Sequence, residues 1–279
     1  MADPSLVAFL ALLALSFVLI LILFLFVKAR IRRIWKELHS LTQGSQSLRK
    51  EITNLRKQLF IVQAGKDLRL PPLLPSEDGE EIILYNFFDQ KRTGFFVEVG
   101  AFNGVELSNT YLLEALGWTG ILIEPHPELY KQCVPSRPFS KVLNVAASDQ
   151  QGTLNFTIAV GSEWLSFSGN NPDRESRVRT GGGSLKSIEV PALTLNEILK
   201  DCSEPIDLIS IDVEGYELNV MRGLDFERFR PKVFLIERPL SGDDKNVDEF
   251  LKVRGYEERF QLGSNSFYVL AGEKGSFHW

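Results

Sequence analysis

The chain has 279 residues, 44% of them hydrophobic and 24% charged, with a formal net charge of −5. That size is one globular domain plus an additional segment. From Ala64 onward 33 acidic residues face 22 basic ones, which argues against nucleic acid as a partner, because phosphate binding requires a basic footprint.

The additional segment is at the front, after a short tail over 1–5. From Leu6 to Val27 every residue is apolar except Ser16, long enough to cross a hydrocarbon core of about 30 Å as a helix. A cleaved signal peptide would have a basic start, a shorter apolar region and a small-residue cleavage site. Here the start is Met1-Ala2-Asp3-Pro4 and the end Phe26-Val27-Lys28, so the reading is a retained single-pass transmembrane helix over 6–27. Only Asp3 is charged before it, whereas Lys28, Arg30, Arg32, Arg33 and Lys36 follow. The positive-inside rule therefore predicts a cytoplasmic carboxyl-terminal bulk. In that compartment Cys133 and Cys202 stay reduced, and the sequon Asn155-Phe156-Thr157 is a coincidence.

A basic stem over 28–63 comes next. Ile31, Ile34, Leu38, Leu41, Ser45, Leu48, Ile52, Leu55, Leu59 and Val62 alternate three and four apart, the a/d seam of a coiled coil and a route to a homo-oligomer. Glu51 and Arg56 fall at g and the following e. Gln43-Gly44-Ser45-Gln46-Ser47 interrupts the seam, so either the coil continues through a soft spot or two short helices meet there. A helix lying against its own domain or the bilayer is the other reading. Between Lys28 and Val62 nine basic residues face two acidic ones, which suits anionic headgroups. A stiff linker over 64–75 holds Pro71, Pro72 and Pro75, and 76–279 is the domain.

Within it, Phe95–Val99 reads as a buried parallel strand, because the run is apolar without alternation and turn residues follow. The loop Glu98-Val99-Gly100-Ala101-Phe102-Asn103-Gly104 then leads into a helix over 109–116, which Gly117 ends. It lacks the middle glycine of a dinucleotide fingerprint, which counts against a dehydrogenase. A carboxylate stands where a phosphate would be repelled. Such a loop suits a cationic or polar ligand, for example the amino-acid end of S-adenosylmethionine. Gly120–Ile123 is a second strand ending in Glu124, Pro127 opens a short helix, and Lys141–Val145 is a third strand. Ile206–Ile211 ends in Asp212, with a helix over 216–221, and Lys232–Ile236 ends in Glu237. Strands separated by helices predict an α/β fold, a Rossmann-like doubly wound and mostly parallel sheet.

Glu98, Glu124, Asp212 and Glu237 each follow an apolar strand, so all four gather along one edge of the sheet, where open α/β folds bind ligands. Strand ends are also wet, and acids are soluble there; four in series go beyond that. Glu124 lies 26 residues after Glu98, near the spacing at which an acid accepts both hydroxyls of a ribose.

Val97-Glu98-Val99-Gly100-Ala101-Phe102-Asn103-Gly104, Ile123-Glu124-Pro125-His126-Pro127 and Ile211-Asp212-Val213-Glu214-Gly215-Tyr216-Glu217-Leu218 together resemble the FkbM family of S-adenosylmethionine-dependent methyltransferases. The resemblance runs from about Ser76 to Leu270. Ser76-Glu77-Asp78-Gly79-Glu80, Leu107-Ser108-Asn109-Thr110 and Gly117-Trp118-Thr119-Gly120 are similar to one branch, with Glu77 where that branch has glutamine. It implies S-adenosyl-L-methionine as cofactor and methylation of a hydroxyl on a small molecule, glycan or lipid-linked acceptor. It also implies that Glu98, Gly100 and Gly104, with Ala101 and Asn103 of the same loop, bind the methionine end. By the same resemblance Glu124 holds the ribose, Ala146 and Asp149 approach the adenine, and Asp212 and Glu214 stand beside the transferred methyl group.

Methyl transfer from a sulfonium needs an aligned acceptor oxygen and a group to take or orient its proton. Asp212 and Glu214 are the catalytic candidates, with Glu237 third. Glu214 has a second reading as a carboxylate stabilising the helix after it. His126, in a Pro-flanked turn, reads as structural or adenine-facing. His39, His126 and His278 are far apart and no cysteine spacing suits zinc, so no metal is expected. The stretch Gly161 to Lys186, with Trp164 and Arg174, Arg177 and Arg179, breaks the strand-helix rhythm. It reads as a lid whose arginines meet an anionic acceptor, or as a loop with solvated charges. A non-catalytic, membrane-tethered interaction module on the same fold is the alternative function.

Overall fold

A computed structural model describes residues 28, 30, 42–63, 68–169, 171–238 and 245–278. The expected membrane span 6–27, the tail before it and the stem between 31 and 41 lie outside the described residues. Among the described residues no helix is long and apolar enough to cross a membrane. The chain divides into two compact units, Met1–Leu55 and Arg56–Trp279. Residues 42–63 are helical (α1), so helix runs straight through Gly44 and Ser45. Leu48, Ile52, Leu55, Leu59 and Val62 are between 42% and 79% exposed.

The second unit is built on a seven-stranded sheet. Its strands are β1 (Phe95–Val99), β2 (Thr119–Ile123), β3 (Lys141–Leu143), β8 (Leu208–Ile211), β9 (Val233–Glu237), β10 (Tyr256–Leu262) and β11 (Asn265–Leu270). The spatial order is β10-β11-β9-β8-β1-β2-β3. The five strands from β9 to β3 are parallel, while β11 runs antiparallel to β9 and β10 to β11. The expected mostly parallel sheet is therefore extended at one edge by an antiparallel hairpin.

Alternation explains why the central strands are apolar throughout. Val97 and Val99 of β1, Ile209 and Ile211 of β8, and Phe234 and Ile236 of β9 enter one core, with Leu195, Val220, Met221 and Leu251. Those last four come from α6 (Leu195–Ile198), α7 (Glu217–Arg222) and α8 (Lys245–Lys252). Phe96, Leu208, Val233 and Leu235 point the other way, into a second core with Ile83, Leu112 and Cys133. These three sit on α2 (Glu80–Phe87), α3 (Tyr111–Leu116) and α4 (Pro127–Ser136). A strand covered on both faces needs apolar side chains at odd and even positions alike.

A second sheet was not legible in the strand-helix rhythm. It comprises β4 (Ala146–Ala147), β5 (Gly152–Val160), β6 (Phe167–Ser168) and β7 (Ser184–Leu193), in the order β4-β7-β5-β6. β5 and β7 pair antiparallel over nine residues each, from Gly152↔Ala192 to Val160↔Ser184. The stretch after Gly161 is ordered between them: a 3-10 turn over Glu163–Leu165, then β6, then α5 (Pro172–Thr180).

Candidate active site

Strand order reverses between β1 and β8, and the crevice beyond their carboxyl ends is where such sheets take ligands. A cavity of about 380 Å³ opens there, lined among others by Gly100, Ala101, Glu124, Ala146, Asp212 and Glu214. The β1 loop is pinned to its neighbours: Gly100 and Ala101 N–H donate to Ile123 O (3.0 and 3.1 Å), and Asp212 N–H donates to Val99 O (3.0 Å).

Glu124 ends β2 and is 4% exposed. Its carboxyl accepts from Phe102 N–H (2.8 Å) and His126 N–H (2.7 Å), bridging the first and second strand-end loops. Burial pushes its pKa up to about 8 against those two hydrogen bonds. His126 takes the structural role: it caps α4, its Nδ1 accepting from Glu128 N–H at 3.2 Å.

Four residues expected at the cofactor lie off the cavity wall. Glu98 turns inward: it accepts from Ser108 Oγ, Asn109 N–H, Thr110 Oγ1 (2.7 Å) and the Arg137 guanidinium (3.1 Å). Arg137, fully buried, also donates to Glu114 at 2.7 Å and to Gly104 O at 3.1 Å. Glu98 thus braces the segment from Gly104 to Tyr111 from below, and Ser108 and Asn109 of that segment line the cavity. Gly104 packs on Cys133 and Arg137, where a Cβ would lie 2.7 Å from the Cys133 sulfur. Asn103 Oδ1 accepts from Val105 and Glu106 N–H, which tightens the turn. Asp149 accepts from Ser148 Oγ at 3.1 Å.

The third strand-end cluster is acidic. Asp212, Glu214 and Glu237 each bring a carboxylate oxygen within 4.8 Å of the other two, close enough to share a cation or a proton. Burial, then the Glu237 and Glu214 charges, raise the Asp212 carboxyl well above the usual range, and Asp212 and Glu237 share a hydrogen bond. Two like charges at this range do not both ionise cheaply, which adds to burial in raising the Asp212 carboxyl. Burial and Glu237 push Glu214 up to about 8, opposed by Arg174. Arg174 forms an ion pair with Glu214 in which both side chains are nearly buried, at 13% and 12% exposure. Carboxyls with pKa values near the working pH are suited to taking a proton from an acceptor. The helix-stabilising role belongs to Glu217, whose Oε1 accepts from Gly215 N–H (2.9 Å) and Val213 N–H (3.3 Å).

Sequence reasoning left Glu77, Ser264 and Asn265 out of the site, yet all three line the cavity. Asn265 Nδ2 donates to Glu80 Oε1 at 2.9 Å, tying β11 to the first turn of α2. β11, in the antiparallel hairpin, is far along the chain from Glu77. For α5 the signal was available: Asn171 caps and Pro172 follows at the first turn.

Seven of the lining side chains are acidic and two are basic. Away from the two arginines such a wall repels phosphates and favours a cation, while the apolar floor of Val99, Ile123, Leu129 and Ala146 accepts a flat ring. Both features, with the Glu124 carboxyl on the cavity wall as an acceptor for hydroxyl donors, fit S-adenosylmethionine.

Among solved structures, the precorrin-6Y C5,15-methyltransferase of Geobacter metallireducens GS-15 is 9% identical, with a TM-score of 0.40, covering 72% of this chain and 92% of its own. Human methyltransferase 10 domain containing protein is 13% identical, with a TM-score of 0.41 and coverages of 80% and 94%. Aeropyrum pernix fibrillarin, in complex with natively bound S-adenosyl-L-methionine, is 11% identical, with a TM-score of 0.37 and coverages of 63% and 66%. No curated protein matches the chain. The methyltransferase FkbM domain matches residues 98–258, a span that begins in β1, holds all three strand-end clusters and ends in β10. The chain belongs to the FkbM family of S-adenosylmethionine-dependent methyltransferases.

Proposed function

We propose that this enzyme is an O-methyltransferase acting on a hydroxyl of a small molecule, glycan or lipid-linked acceptor. The observation that carries the reading is the Asp212–Glu214–Glu237 group, three carboxyls within 4.8 Å of one another at one end of the cavity. S-adenosylmethionine, when bound, supplies an electrophilic methyl group. The chain's residues bind and align the partners, keep water out and move one proton. Glu124 accepts the ribose hydroxyls, and the acidic wall holds the ammonium end. The acceptor hydroxyl donates to Glu214 or to the Asp212–Glu237 pair. As its oxygen takes the methyl group, the proton passes to that carboxylate, so no charged oxygen is left behind. Positioning is the larger part of such catalysis, and the proton acceptor is worth about 10²–10⁴-fold.

The test uses the full chain, cofactor labelled in its methyl group, and fractionated membrane extract. The expected product is a base-stable methyl ether. Glu214→Gln and Asp212→Asn should slow its formation about 10²-fold or more with cofactor affinity retained. Label appearing on nitrogen or in a base-labile ester refutes methylation of a hydroxyl. Cofactor binding without any transfer would favour the interaction module.

The proposal extends to where the reaction occurs. Leu6–Val27 anchors the chain in a membrane with the catalytic unit on the cytoplasmic side, and the stem joins two copies in parallel. Support comes from the apolar run and its basic flank in the sequence, and from the exposed apolar seam of α1.

A further inference from the structure

The two basic residues on an otherwise acidic cavity wall are Arg174 and Arg177, both from α5. This helix is firmly seated. Asn171 caps it, Oδ1 accepting from Arg174 N–H at 3.1 Å, while Nδ2 donates to Glu214 O at 3.4 Å. Val178, on its inner side, is 2% exposed, and Gly183 N–H closes the far end on Val178 O at 3.0 Å. The backbone carrying both arginines is therefore fixed against the Asp212–Gly215 loop.

The three arginines of α5 are used differently. Arg179 is exposed and pairs with Glu175 one turn back, at 3.9 Å on the outer face. Arg174 is taken by Glu214. Arg177, three residues on from Arg174 and on the same wall, makes no side-chain hydrogen bond or ion pair among the described residues. Its charge acts on Glu214 only at longer range, helping Arg174 to hold that carboxyl down. Trp164, 53% exposed, adds a flat apolar face to the same wall. A guanidinium held on a ligand cavity by an ordered helix, with its fork uncommitted, matches an oxyanion in two parallel hydrogen bonds.

Resting on the O-methylation reading, we propose that the acceptor is a hydroxylated ring carrying an oxyanion, a carboxylate or a phosphate, and that Arg177 binds that group. Residues three apart on a helix are separated by about 5–6 Å. With the reacting hydroxyl at Glu214, beside Arg174, the oxyanion lies about one helical turn away along the acceptor. Sugar acids and sugar phosphates have this chemistry, and Trp164 stacks on the ring. Arg177 is a specificity residue, with no part in the proton transfer.

The test uses the full chain in a neutral detergent, loaded with S-adenosylhomocysteine, and titrates glucuronate, glucose 6-phosphate and glucose by calorimetry. At least one anion should bind tenfold or more tightly than glucose, and the better of the two identifies carboxylate or phosphate. Arg177→Ala should bring that anion to the level of glucose, Arg177→Lys should recover part of the difference, and affinity for S-adenosylhomocysteine should not move. Equal binding of all three sugars, binding of none, or a preference that survives Arg177→Ala overturns the inference. Failure of the unaltered chain to bind S-adenosylhomocysteine would instead overturn the cofactor site itself, and this inference with it.

Discussion

Gly100 is the position where one methyl group tests the architecture of the whole site. Its φ is +87°, and a Cβ there would stand 1.8 Å from the carbonyl oxygen of Asp212. A relaxed carbon–oxygen contact needs about 3.2 Å, so Gly100→Ala forces the end of β8 and the β1 loop apart by roughly 1.4 Å. The left-handed backbone alone costs alanine about 1–2 kcal/mol, and overpacking adds about 1–3 kcal/mol. Together these lower the melting temperature by roughly 5–20 °C for a domain of this size. The backbone that moves carries Asp212 and Glu214, so a shift of about 1 Å also lowers turnover about 10²-fold. Gly161→Ala is the matched control: φ is +85° there and nothing lies within 4 Å of the added carbon. Thermal unfolding and cofactor calorimetry on both variants separate the backbone cost from the clash. Equal melting temperatures and equal cofactor affinities in the two variants would refute the reasoning.

Arg137→Met removes the one cation from a buried group containing Glu98 and Glu114; the stranded carboxylates should cost about 3–5 kcal/mol, and an unchanged melting temperature would refute it. For Glu124, burial raises the folded pKa to about 8 from an ordinary 4.5. The folded state therefore holds the extra proton, so this group's contribution to stability is full below about pH 4.5 and is lost as pH rises toward 8. Cofactor hydroxyls prefer the ionised form, so cofactor affinity should rise over that same window by up to about tenfold per pH unit. Glu124→Gln should flatten the calorimetric profile, and a flat profile in the unaltered chain would contradict the assignment. For the stem, Leu55→Cys on the seam should form a disulfide-linked dimer in membranes, whereas Lys50→Cys on the outer face should not; cross-linking at both positions or at neither argues against a parallel pair.

The central parallel strands β1, β2, β8 and β9 were legible because each is buried on both faces, which requires an unbroken apolar run that one sequence window displays. The acids closing those runs were legible for the same reason: a strand's end is set by local composition. β5 was hidden because its buried side chains, Phe156 and Ile158 in a small core with Ala146 and Val190, alternate with wetter ones and form no continuous apolar run, and its partner β7 begins 24 residues after its last residue. Local pattern was equally silent on the cavity wall from Glu77 and Asn265, which come from opposite ends of the domain.

Glu98 shows where local reading stops. Its place at the end of β1 follows from the sequence, but the direction of its carboxylate depends on Arg137, a residue at the end of α4 that carries no motif. Glu214 and Glu217 differ in the same way: spacing allows either to brace α7, and only the turn geometry gives that task to Glu217. The sequence by itself determined the parallel strands, the glycine turn, the strand-end acids and the family. Tertiary structure decided which acids face the ligand and which are spent holding the fold, because a side chain's partner is chosen by distance in space. It also seated α5 so that Arg177 faces the cavity.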